Sequence, residues 1–83
     1  MRLVVGASLS PIKGGIEARC SELKICGHGM ERVQAVESLK RSVAAWCVGL
    51  QRAGLLEQAI AERGLVSEES DASIEVEVET LDG

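Results

Sequence analysis

The chain reads Gly14-Gly15-Ile16-Glu17-Ala18-Arg19-Cys20-Ser21-Glu22-Leu23, then Lys24-Ile25-Cys26-Gly27-His28-Gly29, then Met30-Glu31-Arg32-Val33-Gln34-Ala35-Val36-Glu37-Ser38-Leu39-Lys40. Ile16, Ala18 and Cys20 alternate with Glu17 and Arg19, the two-residue period of a half-buried strand. A third short strand is expected around Lys24 to Gly27. The period then changes. Val36, Leu39, Val43, Trp46 or Cys47, and Leu50 recur at three- and four-residue spacing, which predicts a long helix over about Glu31 to Ala53 with one apolar stripe. Neither Gly29 nor Met30 is a strong side-chain cap, although Glu31 suits the positive end of the helix. Gly49 inside the helix suggests a close approach of a neighbouring backbone, since it costs about 1 kcal/mol relative to Ala.

On the N-terminal side, Arg2 to Leu9 is rich in Val and Leu and predicts a first strand with Leu3, Val5, Ala7 and Leu9 on one face. Ser10 to Gly15 reads as a turn. On the C-terminal side, a short helix is expected over Leu55 to Arg63, with Leu56, Ala59 and Ile60 as its apolar side. Gly54-Leu55 and Gly64-Leu65 each read as a helix stop followed by a hydrophobic contact. Ser67 to Asp71 is a polar loop. Ser73 to Leu81 alternates Ile74, Val76 and Val78 with Glu75, Glu77 and Glu79, a closing strand with one wet face. The expected fold is a single α+β domain over residues 1–83. It is a two-layer sandwich of order β-β-β-α-(short α)-β, mainly antiparallel, with the long helix on one sheet face.

The core material is aliphatic: 46% of the 83 residues are hydrophobic, with one Trp and no Phe or Tyr. A chain this short buries little more than about 60% of its unfolded surface, so a homodimer or higher oligomer is expected to add apolar area. The net charge is −4. Direct binding to DNA is not expected, because phosphate neutralisation needs a basic patch and the Lys and Arg residues are scattered. An acidic domain suits a basic protein partner. No apolar run approaches the roughly 20 residues of a membrane span, and the N-terminal apolar stretch is too short for a secretory signal. Three cysteines, an odd number, suit reduced thiols in a cytoplasm.

Cys20, Cys26, His28 and Cys47 are the residue types of a zinc site. Their C-x5-C-x-H spacing lacks the paired knuckles of structural zinc sites, so the cysteines read as small core hydrophobes and no metal or cofactor is expected. His28 has the pKa range of a general base, and a Cys26–His28 pair is conceivable, but no third group orients it. His28 reads instead as a loop residue, with Gly27 and Gly29 supplying special backbone geometry at the start of the helix. Gly-His-Gly also falls short of a dinucleotide fingerprint, since Arg32 stands where the third glycine belongs. No catalytic residue is assigned. Glu75, Glu77 and Glu79 form an acidic ladder on one strand face and are the candidate partner-binding residues.

Gly14 to Lys40 resembles the N-terminal domain of the HicB antitoxin family. Members commonly read G-G-Y-x-A-x-C-P-E-L, a short gap, then G-x-G-D-T-x-E-E-A-L-x-N-L-K. Here Gly14-Gly15, Ala18-x-Cys20, Glu22-Leu23, Gly27-x-Gly29 and the helix through Leu39-Lys40 agree in order and spacing. Ile16 stands for the usual aromatic, Ser21 for the proline, Met30-Glu31 for Asp-Thr, and Val33-Gln34 for the paired glutamates. The resemblance implies a partial ribonuclease-H-like fold, β-β-β-α-β, without its acidic metal-binding set. It also implies a small basic HicA-type toxin, an mRNA-cleaving partner that the domain binds and blocks. Larger members add a DNA-binding domain. No such segment follows here, so operator binding is not expected. The alternative is an orphan scaffold or small-ligand-binding module of the same fold without a toxin partner.

Overall fold

A computed structural model describes residues 1–68 and 73–81. It is an α+β fold of order β1 (Arg2–Ile12), β2 (Gly15–Cys20), β3 (Ile25–Gly29), α1 (Arg32–Arg52), α2 (Leu56–Glu62), β4 (Val66–Glu68) and β5 (Glu75–Thr80). β1 pairs antiparallel with β2 through its C-terminal half, and β2 pairs antiparallel with β3. β4 and β5 both pair with Arg2, Leu3 and Val4, so they occupy opposite edges of β1, β4 antiparallel and β5 parallel. α1 lies on one face of this mainly antiparallel sheet.

Alternation along β1 decides what the helix covers. Leu3, Val5 and Ala7 are buried and Leu9 is half-buried on the same side. Ala18 and Cys20 of β2, and Val76 and Val78 of β5, join that side through the strand registers. Ala35, Leu39, Val43 and Cys47 meet them from α1, every fourth residue of one stripe and each fully buried. Burying a side chain such as Leu39 contributes about 2 kcal/mol. Leu56 and Ile60 bring α2 onto the same core.

Gly27 and Gly29 bring helix and sheet together. A Cβ on Gly27 would stand 2.7 Å from both the Ala35 carbonyl oxygen and Leu39 Cα, and closer still to Leu39 N. A Cβ on Gly29 would stand 2.6 Å from Ala35 N. The α1 backbone therefore rests directly on β3. Positive φ occurs at Gly14, Gly54 and Gly64 but not at this pair. What the fold requires of Gly27 and Gly29 is the missing side chain, and the strand expected to end near Gly27 runs on through His28, expected in a loop, to Gly29. Gly49 is the reverse case: nothing lies within 4 Å of a Cβ there, so the expected close approach is absent.

The helix ends follow the chain locally. Glu31 is the N-cap of α1, and Gln34 Oε1 accepts hydrogen bonds from Met30 N–H at 2.9 Å and Glu31 N–H at 3.3 Å. Gln34 supplies this reciprocal half of a capping box that the weak Gly29 and Met30 caps had left unexplained. Both helices stop in Schellman motifs. Leu55 N–H bonds Leu50 O and Leu65 N–H bonds Ile60 O, with Gly54 and Gly64 at φ of 73° and 65° between them.

Two further expectations are corrected. β1 runs on through Pro11 to Ile12, where a turn over Ser10 to Gly15 was expected. Ile12 and Gly15 close a two-residue turn, so Pro11 and Ile16 form a pair in which the missing proline N–H is not needed. Val66 to Glu68 forms β4 where a polar loop was expected from Ser67; the rest of that loop, Glu69 to Asp71, lies outside the described residues. The free edge of β1 recruits this short segment once the second Schellman turn redirects the chain. Gly27→Ala should destabilise the fold by about 3 kcal/mol, because helix and sheet must separate. Gly49→Ala should stabilise it by about 0.5–1 kcal/mol. Urea unfolding of the two variants checks the opposite signs.

Candidate functional site

The sheet face away from α1 carries the candidate residues. On β1 it presents Arg2, Val4, Gly6, Ser8 and Ser10. The registers place Glu17 and Arg19 of β2 beside Ser10 and Ser8. Cys26 and His28 of β3 follow beside Arg19 and Glu17. On the other flank, Glu75, Glu77 and Glu79 of β5 lie beside Arg2, Val4 and Gly6. Glu68 and Val66 of β4 lie beside Arg2 and Val4. Leu81 turns its side chain over Gly6 and stays 62% exposed.

Arg2 organises the acidic end of this face. Its guanidinium bonds the Glu77 carboxylate and reaches Glu68 at 3.5 Å, spanning the two strands that flank β1. The pairs are partly exposed, so each contributes a few tenths of a kcal/mol at most. The candidate ladder is therefore uneven. Glu77 is neutralised by Arg2, whereas Glu75 and Glu79 are exposed and their carboxylates have no hydrogen-bond or ion-pair partner among the described residues. Residue pattern alone missed Arg2 and Glu68 as parts of this face. The alternation of Arg2 with Leu3 and Val5 put Arg2 on the wet side, but its partners depended on which strands would flank β1.

The same alternation separates the cysteines and the histidine. Cys20 and Cys47 are buried in the helix-side core, while Cys26 and His28 face the opposite way on β3. The sheet itself stands between the two pairs, so these residues cannot converge on one ion. No group of three or more metal-ligand side chains converges among the described residues. Burial pushes the Cys47 thiol up. It does the same at Cys20, where a backbone hydrogen bond at Leu23 opposes it and the Glu22 carboxylate adds to it. His28 Nε2 lies 3.3 Å from Glu17 Oε2 across the strand pair. Cys26 is two residues along the same strand, about 7 Å away by strand rise. His28 therefore works with Glu17 as a cross-strand pair on the wet face.

One backbone donor on the outer edge of β3 is met by α1. His28 N–H donates to Ser38 Oγ at 3.3 Å, which satisfies a backbone donor of β3 from the helix. Arg63 ties down the other end: its Nη1 donates to Glu22 O at 3.0 Å, and its guanidinium lies 5.9 Å from the Trp46 ring centroid. These contacts fix α2 against the β2–β3 connection and leave the wet face open.

No helix among the described residues is long and apolar enough to cross a membrane. Comparison with family models, curated proteins and solved structures gives no match to this chain.

The thiols should divide by face. In the folded protein an alkylating reagent should modify Cys26 first, since the thiolate is the reactive form and Cys20 and Cys47 are buried with raised pKa. Peptide mass spectrometry after a short exposure checks this; equal labelling of all three would contradict the placement of Cys20 and Cys47.

Proposed function

We propose that this chain is a HicB-like antitoxin domain: a non-enzymatic interaction module that binds and neutralises a small basic, mRNA-cleaving toxin. One observation carries the reading. The residues that bear the resemblance are the residues on which the fold depends. Gly14 forms the β1–β2 turn at φ 86°. Ala18, Cys20 and Leu23 are buried. Gly27 and Gly29 seat α1 on β3. The motif thus acts as a fold signature, and β1-β2-β3-α1 with β5 later in the chain accords with the β-β-β-α-β order that the resemblance implies, α2 and β4 being additional.

The chemistry of the partner follows from the wet face. Glu17, Glu68, Glu75, Glu77 and Glu79 outnumber Arg2 and Arg19 there, and the Glu75 and Glu79 carboxylates have no partner among the described residues. Such a face attracts a basic protein by complementary charge and raises its association rate. Self-association as a homodimer or higher oligomer has a separate apolar surface to use. Met30, beside Gly15 of the β1–β2 turn, and Val33 in the first turn of α1 are 77% and 71% exposed.

The test is a calorimetric titration with the product of any small basic reading frame adjacent to this gene. The expected result is saturable binding that weakens as salt rises, with loss of the partner's mRNA cleavage in the same mixtures. Absence of binding together with undiminished cleavage would overturn the antitoxin reading.

A further inference from the structure

Among the described residues, β5 pairs only with β1, and its outer edge is open. Glu75 N–H bonds Met1 O, and Leu81 N–H bonds Ala7 O. In a parallel ladder the N–H and C=O of one residue point the same way, and successive residues alternate. Glu75, Glu77 and Glu79 therefore spend their backbone groups on β1. Val76, Val78 and Thr80 turn theirs outward. The contrast with β3 is informative, because there the helix supplies Ser38 to a backbone donor. Among the described residues, the helix meets one donor on the β3 edge and nothing pairs with the outer edge of β5.

The side chains specify which strand. Val76 and Val78 are half-buried and point to the α1 side, where they pack at the margin of the core. Glu75 and Glu79 stand exposed on the wet face. A second copy adding through its own β5 in antiparallel register would set glutamate against glutamate, an arrangement that like charge disfavours. Two copies of a chain with a net charge of −4 repel further. Charge and pattern favour the opposite composition.

We propose that the outer edge of β5 binds a partner by strand addition, the partner segment being extended and alternating Lys or Arg with apolar residues. Its backbone pairs with Val76, Val78 and Thr80. Its basic side chains lie over Glu75 and Glu79, and its apolar ones continue the Val76–Val78 row over the core. Backbone pairing supplies affinity in such complexes and the alternate side chains supply specificity. The proposal rests on the reading of a basic partner, and it names the site and the form of the segment.

The probe is a blocked peptide of alternating Lys and Val. The controls are a peptide of the same composition with its Lys and Val in two blocks and an alternating Glu-Val peptide. The alternating Lys-Val peptide should bind and slow amide hydrogen exchange at Val76, Val78 and Thr80. The E75K/E79K double variant, its folding checked by circular dichroism, should lose about tenfold or more in affinity for it and gain affinity for the Glu-Val peptide. Equal binding of the block peptide, unchanged exchange at the three amides, or protection that instead rises with protein concentration alone would overturn the proposal, the last by showing a second copy on the edge. A basic toxin that binds without slowing these amides would overturn the edge site and leave the antitoxin reading standing. Peptide binding at the edge with no response to an adjacent toxin would do the reverse.

Discussion

Everything in this fold depends on the backbone of α1 resting on the backbone of β3. Gly27 and Gly29 remove the two side chains that would hold the layers apart, and a methyl group at Gly27 would collide with helix backbone rather than with a movable side chain. Dispersion contacts fall off steeply with separation, so a helix standing even one ångström higher would loosen every row of the core. With the helix seated, Ala35, Leu39, Val43 and Cys47 reach Leu3, Val5, Ala18 and Cys20, and small side chains suffice to fill the layer. A core without Phe or Tyr is the corresponding choice of residues.

Seating the helix over β3 also polarises the sheet. The helix covers one face and gives Ser38 to the strand beneath it. The opposite face is left to charged residues, and β4 and β5 complete β1 on its two edges. Arg2 then acts as a central cation between acids on both flanks. Much of the acidic character of the described residues thereby falls on a surface beside the outer edge of β5, with which no described strand pairs. That concentration is what the proposed reading, a module for a basic protein, draws on.

The cysteines show how alternation decides chemistry. In the linear chain, Cys20, Cys26 and His28 fall within nine residues and invite a ligand set. A strand sends successive side chains to opposite faces, and the turn between β2 and β3 preserves that division. Cys20 goes into the core, where burial pushes its thiol pKa up. Cys26 and His28 go to the wet side, where the histidine finds Glu17. Proximity in sequence is therefore separation in space.

The sequence by itself determined the elements whose cause is local. The two-residue period fixed β2 and β5, the helical stripe fixed α1, and the Gly-Leu pairs fixed both helix stops, because each depends on residues within one or two turns of chain. It also placed Leu3, Val5 and Ala7 on one face and the glutamates of β5 on the other. Only the tertiary structure decided the rest. Val66 to Glu68 became a strand because β1 offered it an edge, and Pro11 stayed in a strand because its register spared the missing N–H. Gly27 and Gly29 read as a pair with special backbone geometry, and the structure showed that the helix needs their empty Cβ positions. Glu77 differs from Glu75 and Glu79 because Arg2, at the far end of the chain, lies beside it. These features depend on contacts between residues distant in sequence, and no local pattern encodes which distant partner arrives.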